Sequence, residues 1–245
     1  MQNTEIQATK CKNCNSLLSG NYCANCGQPT NLKRIDAHYI KHEIEHVLHL
    51  DKGIFFKIKE LFLRTGKSVN EFFTENRNRL VKPIIFIIIT SLVYTIINNY
   101  YHIEEQYVSV SGMEKTTVGK IFKWIQDHYG YANILMGVFI AFFIRLFFKK
   151  TEYNFYEILI LLCFVIGIGM LIFSIFALFQ SIFQINIMEL AGLTAITYST
   201  YAIADFFDKK KIKNYFKAFA AYILGSIAFF AVATIIGRII DILMY

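Results

Sequence analysis

Two hydrophobic patterns divide the chain near residue 82. Before that point apolar residues are sparse, or fall at helical spacing among charges; after it they run almost unbroken. A helix needs about 20 apolar residues to cross the hydrocarbon core of a bilayer. Five segments approach or exceed that length: 83–101, 131–148, 155–183, 188–207 and 216–244. The fourth is diluted by Thr194, Thr197, Ser199 and Thr200, so the pattern admits four crossings as well as five. The chain therefore reads as a small N-terminal module (1–30), a stretch of amphipathic helices (31–82) and a transmembrane helical bundle (83–245). The fold class expected is an all-α integral membrane protein with about five transmembrane helices and a small N-terminal metal module.

The amphipathic stretch carries several helix signals. Ile54, Phe55, Ile58, Leu61 and Phe62 share one face, with Lys57, Lys59 and Arg64 elsewhere. That suits a helix lying on an anionic membrane surface, and equally one packed on the bundle. Gly66 reads as its end. Ser68-Val69-Asn70-Glu71 reads as a capping box opening the next helix. In the loop 102–130, Val118, Ile121, Phe122 and Ile125 fall at helical spacing beside Trp124. An interfacial helix or a loop helix packed on the bundle fits that spacing.

Composition agrees with a membrane protein. The 245 residues are 55% hydrophobic, above the roughly 45–50% of soluble domains. Met1 to Lys10 hold no apolar run, so no cleavable leader is expected and residues 1–82 should stay on the side where they are made. With the N-terminus inside, 21 of the 25 Lys and Arg fall on inner segments, as the positive-inside rule demands. An odd number of crossings then puts Tyr245 outside. The net charge of +7 is accordingly a topology signal, and nucleic acid is not an expected partner, because the basic residues spread along membrane edges.

Two stretches suggest metal chemistry. Cys11-Lys12-Asn13-Cys14 and Cys23-Ala24-Asn25-Cys26 form CxxC-x8-CxxC, and two-residue gaps let each pair of thiolates reach one tetrahedral ion. Zinc is the expected cofactor, with iron in the same cage its main rival. Four thiolates close the coordination shell, so the ion is expected to be structural, and it would supply folding free energy that so short a segment lacks. Cys163, inside the third apolar segment, reads as packing.

The second stretch, His42-Glu43-Ile44-Glu45-His46, matches the H-E-x-x-H string of zinc proteases. His38, His42, His46 and His49 lie within an arc of about 80° on a helix, opposite Ile40, Ile44, Val47 and Leu48. His42, His46 and His49 thus form a candidate weak metal contact. Catalysis is not expected: His102 and His128 fall on the other side in this topology, and the 30–80 region is too short to build a cleft around the string. A polar face meeting headgroups, a partner or the chain itself explains the stripe.

Polar residues inside apolar segments are costly and merit attention. Thr194, Thr197, Tyr198, Tyr201 and Asp205 follow one face of the fourth segment, and Arg238 and Asp241 are spaced to pair in the fifth. A polar pathway or ordinary interhelical hydrogen bonding fits them.

The CxxC-x8-CxxCG module, His46-Val47-Leu48-His49-Leu50-Asp51-Lys52-Gly53, Leu63-Arg64-Thr65-Gly66-Lys67 and Asn76-Arg77-Asn78-Arg79-Leu80 leading to Pro83 together resemble the bacterial domain-of-unknown-function 3667 family over about residues 11–100. Thr65 stands where that pattern has proline, and Asn76 where it has glycine. The resemblance implies a zinc-ribbon protein of a bacterial inner membrane with no assigned activity. The function expected is a non-enzymatic adaptor or sensor whose cytosolic ribbon contacts a protein partner, with a small-solute transporter or channel as the alternative. The bilayer is the other partner; homo-oligomerisation is left open.

Overall fold

The computed structural model describes residues 10–11, 14, 16–17, 20–27, 54–74, 80–103 and 116–244. The histidine stripe His42, His46 and His49 lies outside them. The chain divides into two units, Met1–Val47 and Leu48–Tyr245.

The described part of the first unit is short and holds one isolated β-bridge. Lys10 and Leu17 form an antiparallel bridge, and the Cys11 N–H donates to the Ser16 carbonyl at 2.8 Å.

The described part of the second unit is helical apart from short connections. Its elements are α1 (Ile54–Leu63), α2 (Thr65–Thr74), α3 (Pro83–Tyr101), α4 (Thr117–Asp127), α5 (Tyr129–Phe147), α6 (Phe155–Phe183), α7 (Met188–Asp208) and α8 (Ile212–Met244). Local chemistry sets several ends. Pro83 opens α3, where its missing N–H costs nothing. Asn154 and Glu157 form a reciprocal capping box at the start of α6, readable in the sequence as N-x-x-E. The α3 and α6 helices each close on a left-handed residue, His102 and Gln184.

Four of these helices are long and apolar enough to cross a membrane: α3, α5, α6 and α8. The chain is an all-α membrane protein. The fourth predicted segment, 188–207, forms α7, whose hydroxyl run and acidic residues Glu189, Asp205 and Asp208 keep it below that standard. Even so, α7 runs the length of the bundle. Met188, at its start, packs with Tyr94, Ile103, Met170 and Ala177, near the ends of α3 and α6. Phe206, at its finish, packs on Phe73 and Tyr153 beside the start of α6. The five long helices therefore alternate in direction.

The centre of the bundle is α6. Of its most apolar 18-residue stretch 72% is buried inside the protein, against 17–33% for α3, α5 and α8, whose free faces are left for lipid. It packs on α2, α3, α5 and α7. A helix apolar on every side belongs where protein surrounds it.

The amphipathic stretch packs on the bundle. Leu61, Val69 and Phe72 join the main core, and α2 lies against α6 and α7. Two expectations are corrected here. Gly66 does not end α1 but sits in the first turn of α2, which begins at Thr65 before the expected capping box. Ser68 is buried inside that helix, its N–H bonded to Arg64, and Glu71 pairs with Lys67 at 3.5 Å. The reason is tertiary: Asp205 of α7 accepts the Gly66 N–H at 3.1 Å, so the helix takes its cap from another element.

The loop helix α4 also packs on the bundle, with Val118 and Ile125 buried and Phe122 stacked on Phe230. Trp124 remains 45% exposed.

Close approaches depend on glycine. A Cβ on Gly225 of α8 would stand 2.5 Å from Ile140 Cα of α5, a backbone atom with no rotamer to yield. At Gly169 of α6 nothing lies within 4 Å of that position. Overpacking costs about 1–3 kcal/mol, while replacing helical glycine by alanine gains up to about 1 kcal/mol. Gly225→Ala is therefore expected to lower Tm in detergent and Gly169→Ala to leave it unchanged or higher. Equal behaviour of the two variants in a thermal unfolding assay would contradict this packing.

Candidate metal centre and the polar contacts of the bundle

The four cysteines of the N-terminal unit converge. The Sγ atoms of Cys11, Cys14, Cys23 and Cys26 all lie within 4.8 Å of one another, with no disulfide between them. Two pairs are closest, Cys11–Cys26 at 3.6 Å and Cys14–Cys23 at 3.5 Å. A tetrahedron of sulfurs about 2.3 Å from a central ion has edges of about 3.8 Å. The spacing is compatible with a metal site, and the four-thiolate donor set fits a soft or borderline ion.

The backbone turn at the second pair needs glycine. Gly27 has φ 72°, and its N–H donates to the Cys23 carbonyl at 2.8 Å, closing the turn that aims both thiolates inward. At the first pair, Cys14 Sγ is hydrogen-bonded to the Ser16 hydroxyl at 3.3 Å. The Ser16 side chain and then its backbone lower the Cys14 thiol from 9.0 to about 6, with Cys26 and Cys23 adding smaller effects. Ser16 carried no signal of its own in the sequence beyond its place two residues after Cys14.

The polar residues of α7 and α8 do not converge. Tyr198 is buried, stacked on Phe62 at 5.1 Å, with its hydroxyl 2.8 Å from Thr65 Oγ1. The Thr65 hydroxyl donates to the Leu61 carbonyl, so Tyr198 is the donor to Thr65. Asp205 caps α2 through Gly66 and pairs with Lys209 at 3.6 Å. Thr194 and Thr197 donate back to the carbonyls of Leu190 and Leu193 in their own helix. Tyr201 is 37% exposed. The expected Arg238–Asp241 pair is not formed: Arg238 is exposed, and Asp241 accepts the Thr117 N–H at 2.9 Å, at the start of α4.

None of these residues borders the polar cavity of about 150 Å³ near the ends of α3 and α6, which is lined by Tyr101, Ile103, Gln180, Ser181, Gln184 and Asn186. Within the bundle, Asn133 Nδ2 donates to Ser91 Oγ at 3.0 Å, joining α5 to α3. Sequence reading passed over this pair, although asparagine inside an apolar segment was a visible signal.

Three expectations follow. Metal analysis should find one ion per chain in wild type and in Cys163→Ser, and none in Cys11→Ser/Cys14→Ser. A thiol with a lowered pKa contributes binding that is complete above its ordinary value of 9.0 and is lost as pH falls toward about 6. Ser16→Ala should thus release the metal at a higher pH than wild type, read by a chromogenic chelator. For α1 and α2, Asp205→Ala leaves Gly66 N–H without its acceptor, a change worth about 1–3 kcal/mol. Faster limited proteolysis between residues 54 and 80 is expected, with the cores of α5 and α6 still protected.

Set beside known proteins, the chain matches no family model, no curated protein and no solved structure.

Proposed function

We propose that this chain is a non-enzymatic membrane adaptor or sensor, in which a structural zinc ribbon recruits a protein partner to a multi-pass bundle. The observation that carries this reading is the convergence of four cysteine sulfurs. Four thiolates occupy every position of a tetrahedral zinc, which leaves none for a catalytic water. The ribbon's remaining resource is its surface, where Leu17 and Tyr22 are about two-thirds exposed, at 66% and 67%. An apolar pair on a unit too small to bury it is suited to a protein partner.

In this reading all five long helices cross the membrane, α7 included. It is kept there by packing between α6 and α8, by its hydrogen bonds to Thr65 and Gly66 of α2, and by the stack of Tyr198 on Phe62 of α1. The distribution of Lys and Arg argues for an N-terminus in the cytosol and a C-terminus outside. We likewise read the chain as a member of the bacterial domain-of-unknown-function 3667 family, on the motifs between residues 11 and 100. That membership supports an inner-membrane location.

The adaptor reading is tested by crosslinking in native membranes, comparing wild type with Cys11→Ser/Cys14→Ser. A partner lost from the variant, and lost again with Leu17→Ala/Tyr22→Ala, is the expected result. An identical set of crosslinked proteins in all three samples would remove the basis for the proposal. A reporter fused after Tyr245 should be active only if it is one that works outside the cytosol.

A further inference from the structure

Two basic loops meet at the end of the bundle where α5 finishes and α8 begins. Phe148, just after α5, stacks on Phe207 near the end of α7, with ring centroids 4.1 Å apart and planes 15° from parallel. Lys217 Nζ of α8 lies 5.4 Å from the Phe148 ring centroid, a cation–π contact. The aromatic stack therefore brings the loop after α5, with Lys149 and Lys150, beside the first turns of α8, with Lys213 and Lys217.

These four lysines are exposed, and none forms an ion pair with a described residue. Most neighbouring carboxylates are already engaged. Asp205 holds Lys209 and the Gly66 N–H, Asp208 holds Lys211 at 2.9 Å, and Glu157 closes the capping box with Asn154. Glu152 is the remaining carboxylate on the loop after α5. The cluster keeps an excess of unpaired positive charge.

Apolar side chains flank that charge. Ile212 and Phe216 are each 72% exposed and stand one position before Lys213 and Lys217 on the same two turns. At 33 residues α8 is about 50 Å long, well beyond the roughly 30 Å of hydrocarbon, so its first turns reach into the headgroup layer. Cations and apolar side chains side by side at that depth match the two halves of one amphiphile.

We propose that this surface is a binding site for an anionic glycerophospholipid. Its phosphodiester is held by Lys149, Lys150, Lys213 and Lys217, and its acyl chain lies along Ile212 and Phe216. The exposed apolar pair favours a lipid over a soluble phosphate, which has no use for it. The site requires only that α8 crosses a membrane. It does not depend on the ribbon or on the direction of insertion.

The test uses the purified full chain in a neutral detergent, titrated with dioleoyl phosphatidylglycerol or dioleoyl phosphatidylcholine, with bound lipid counted by native mass spectrometry. Wild type is expected to bind the anionic lipid about tenfold more tightly, since phosphatidylcholine offers the lysines no net negative charge. In Lys149→Gln/Lys150→Gln/Lys213→Gln/Lys217→Gln the two lipids should bind alike. Lys120→Gln/Lys123→Gln, on α4, should keep the wild-type preference. Because the fourfold variant is a large change, the wild-type preference is also measured against rising salt, which should weaken it. Equal binding of both lipids by wild type, a preference that survives the four substitutions in a folded variant, or one insensitive to salt would overturn the site. Displacement of the anionic lipid by inorganic phosphate alone would overturn the lipid assignment in favour of a soluble anion.

Discussion

Hydrocarbon offers no hydrogen bonds, so every polar group carried into it must find a partner within the chain. The bundle is organised around that constraint. Helices satisfy the backbone, and the hydroxyls of Thr90, Ser174, Thr194, Thr197, Ser226 and Thr234 return to carbonyls of their own helices. Asn133 and Ser91 are matched across helices, whereas the buried hydroxyls of Ser199 and Thr200 on α7 have no hydrogen-bond partner among the described residues. Burial against protein gains little over burial against lipid in such a setting, so close packing and polar matching decide which helices sit together. The glycines facing Ile140, Phe86 and Val118 permit that packing.

Much of this was legible in the sequence because it is local. The ends of α3 and α6 match the expected 83–101 and 155–183, since each is a predominantly apolar run with a proline or a capping pair at its start. The cysteine cluster was legible for the same reason: two-residue gaps fix each pair, and Gly27 supplies the turn. What could not be read was the identity of partners distant in sequence. The stripe of Ile58, Leu61 and Phe62 looks the same whether it faces acyl chains or α6 and α7. Thr65, Tyr198, Gly66 and Asp205 stand out singly, but 133 and 139 residues separate the members of each pair. The start of α2 was misplaced for that reason, because its cap belongs to α7.

The same non-local matching explains why Arg238 and Asp241 do not pair. Spacing of three on a helix permits a bridge of a few tenths of a kcal/mol at most. The unsatisfied amide at the start of α4 offers Asp241 a charge-assisted hydrogen bond, which is stronger and ties two elements together. Asp205 makes the same choice at the start of α2. Two carboxylates in apolar helices therefore serve one purpose, at opposite ends of the bundle: each holds the N-terminus of a short amphipathic helix. Carboxylates so engaged are poorly placed to line a solute path.

The least apolar long helix is thus also the one most bound to the amphipathic helices α1 and α2. Without α1 and α2, Tyr198 would lose both its ring stack and its acceptor, and Asp205 would keep only Lys209. Both groups would then sit on a helix that has too few apolar side chains to compensate for them. The α1 and α2 helices are in this sense part of the bundle's core, as the burial of Leu61, Val69 and Phe72 shows. Thr65 illustrates the dependence most directly. Its hydroxyl accepts from Tyr198 while donating to Leu61, a bridge that a proline at this position would lack the atoms to make. Thr65 of α2 thereby links Tyr198 of α7 to the Leu61 carbonyl of α1.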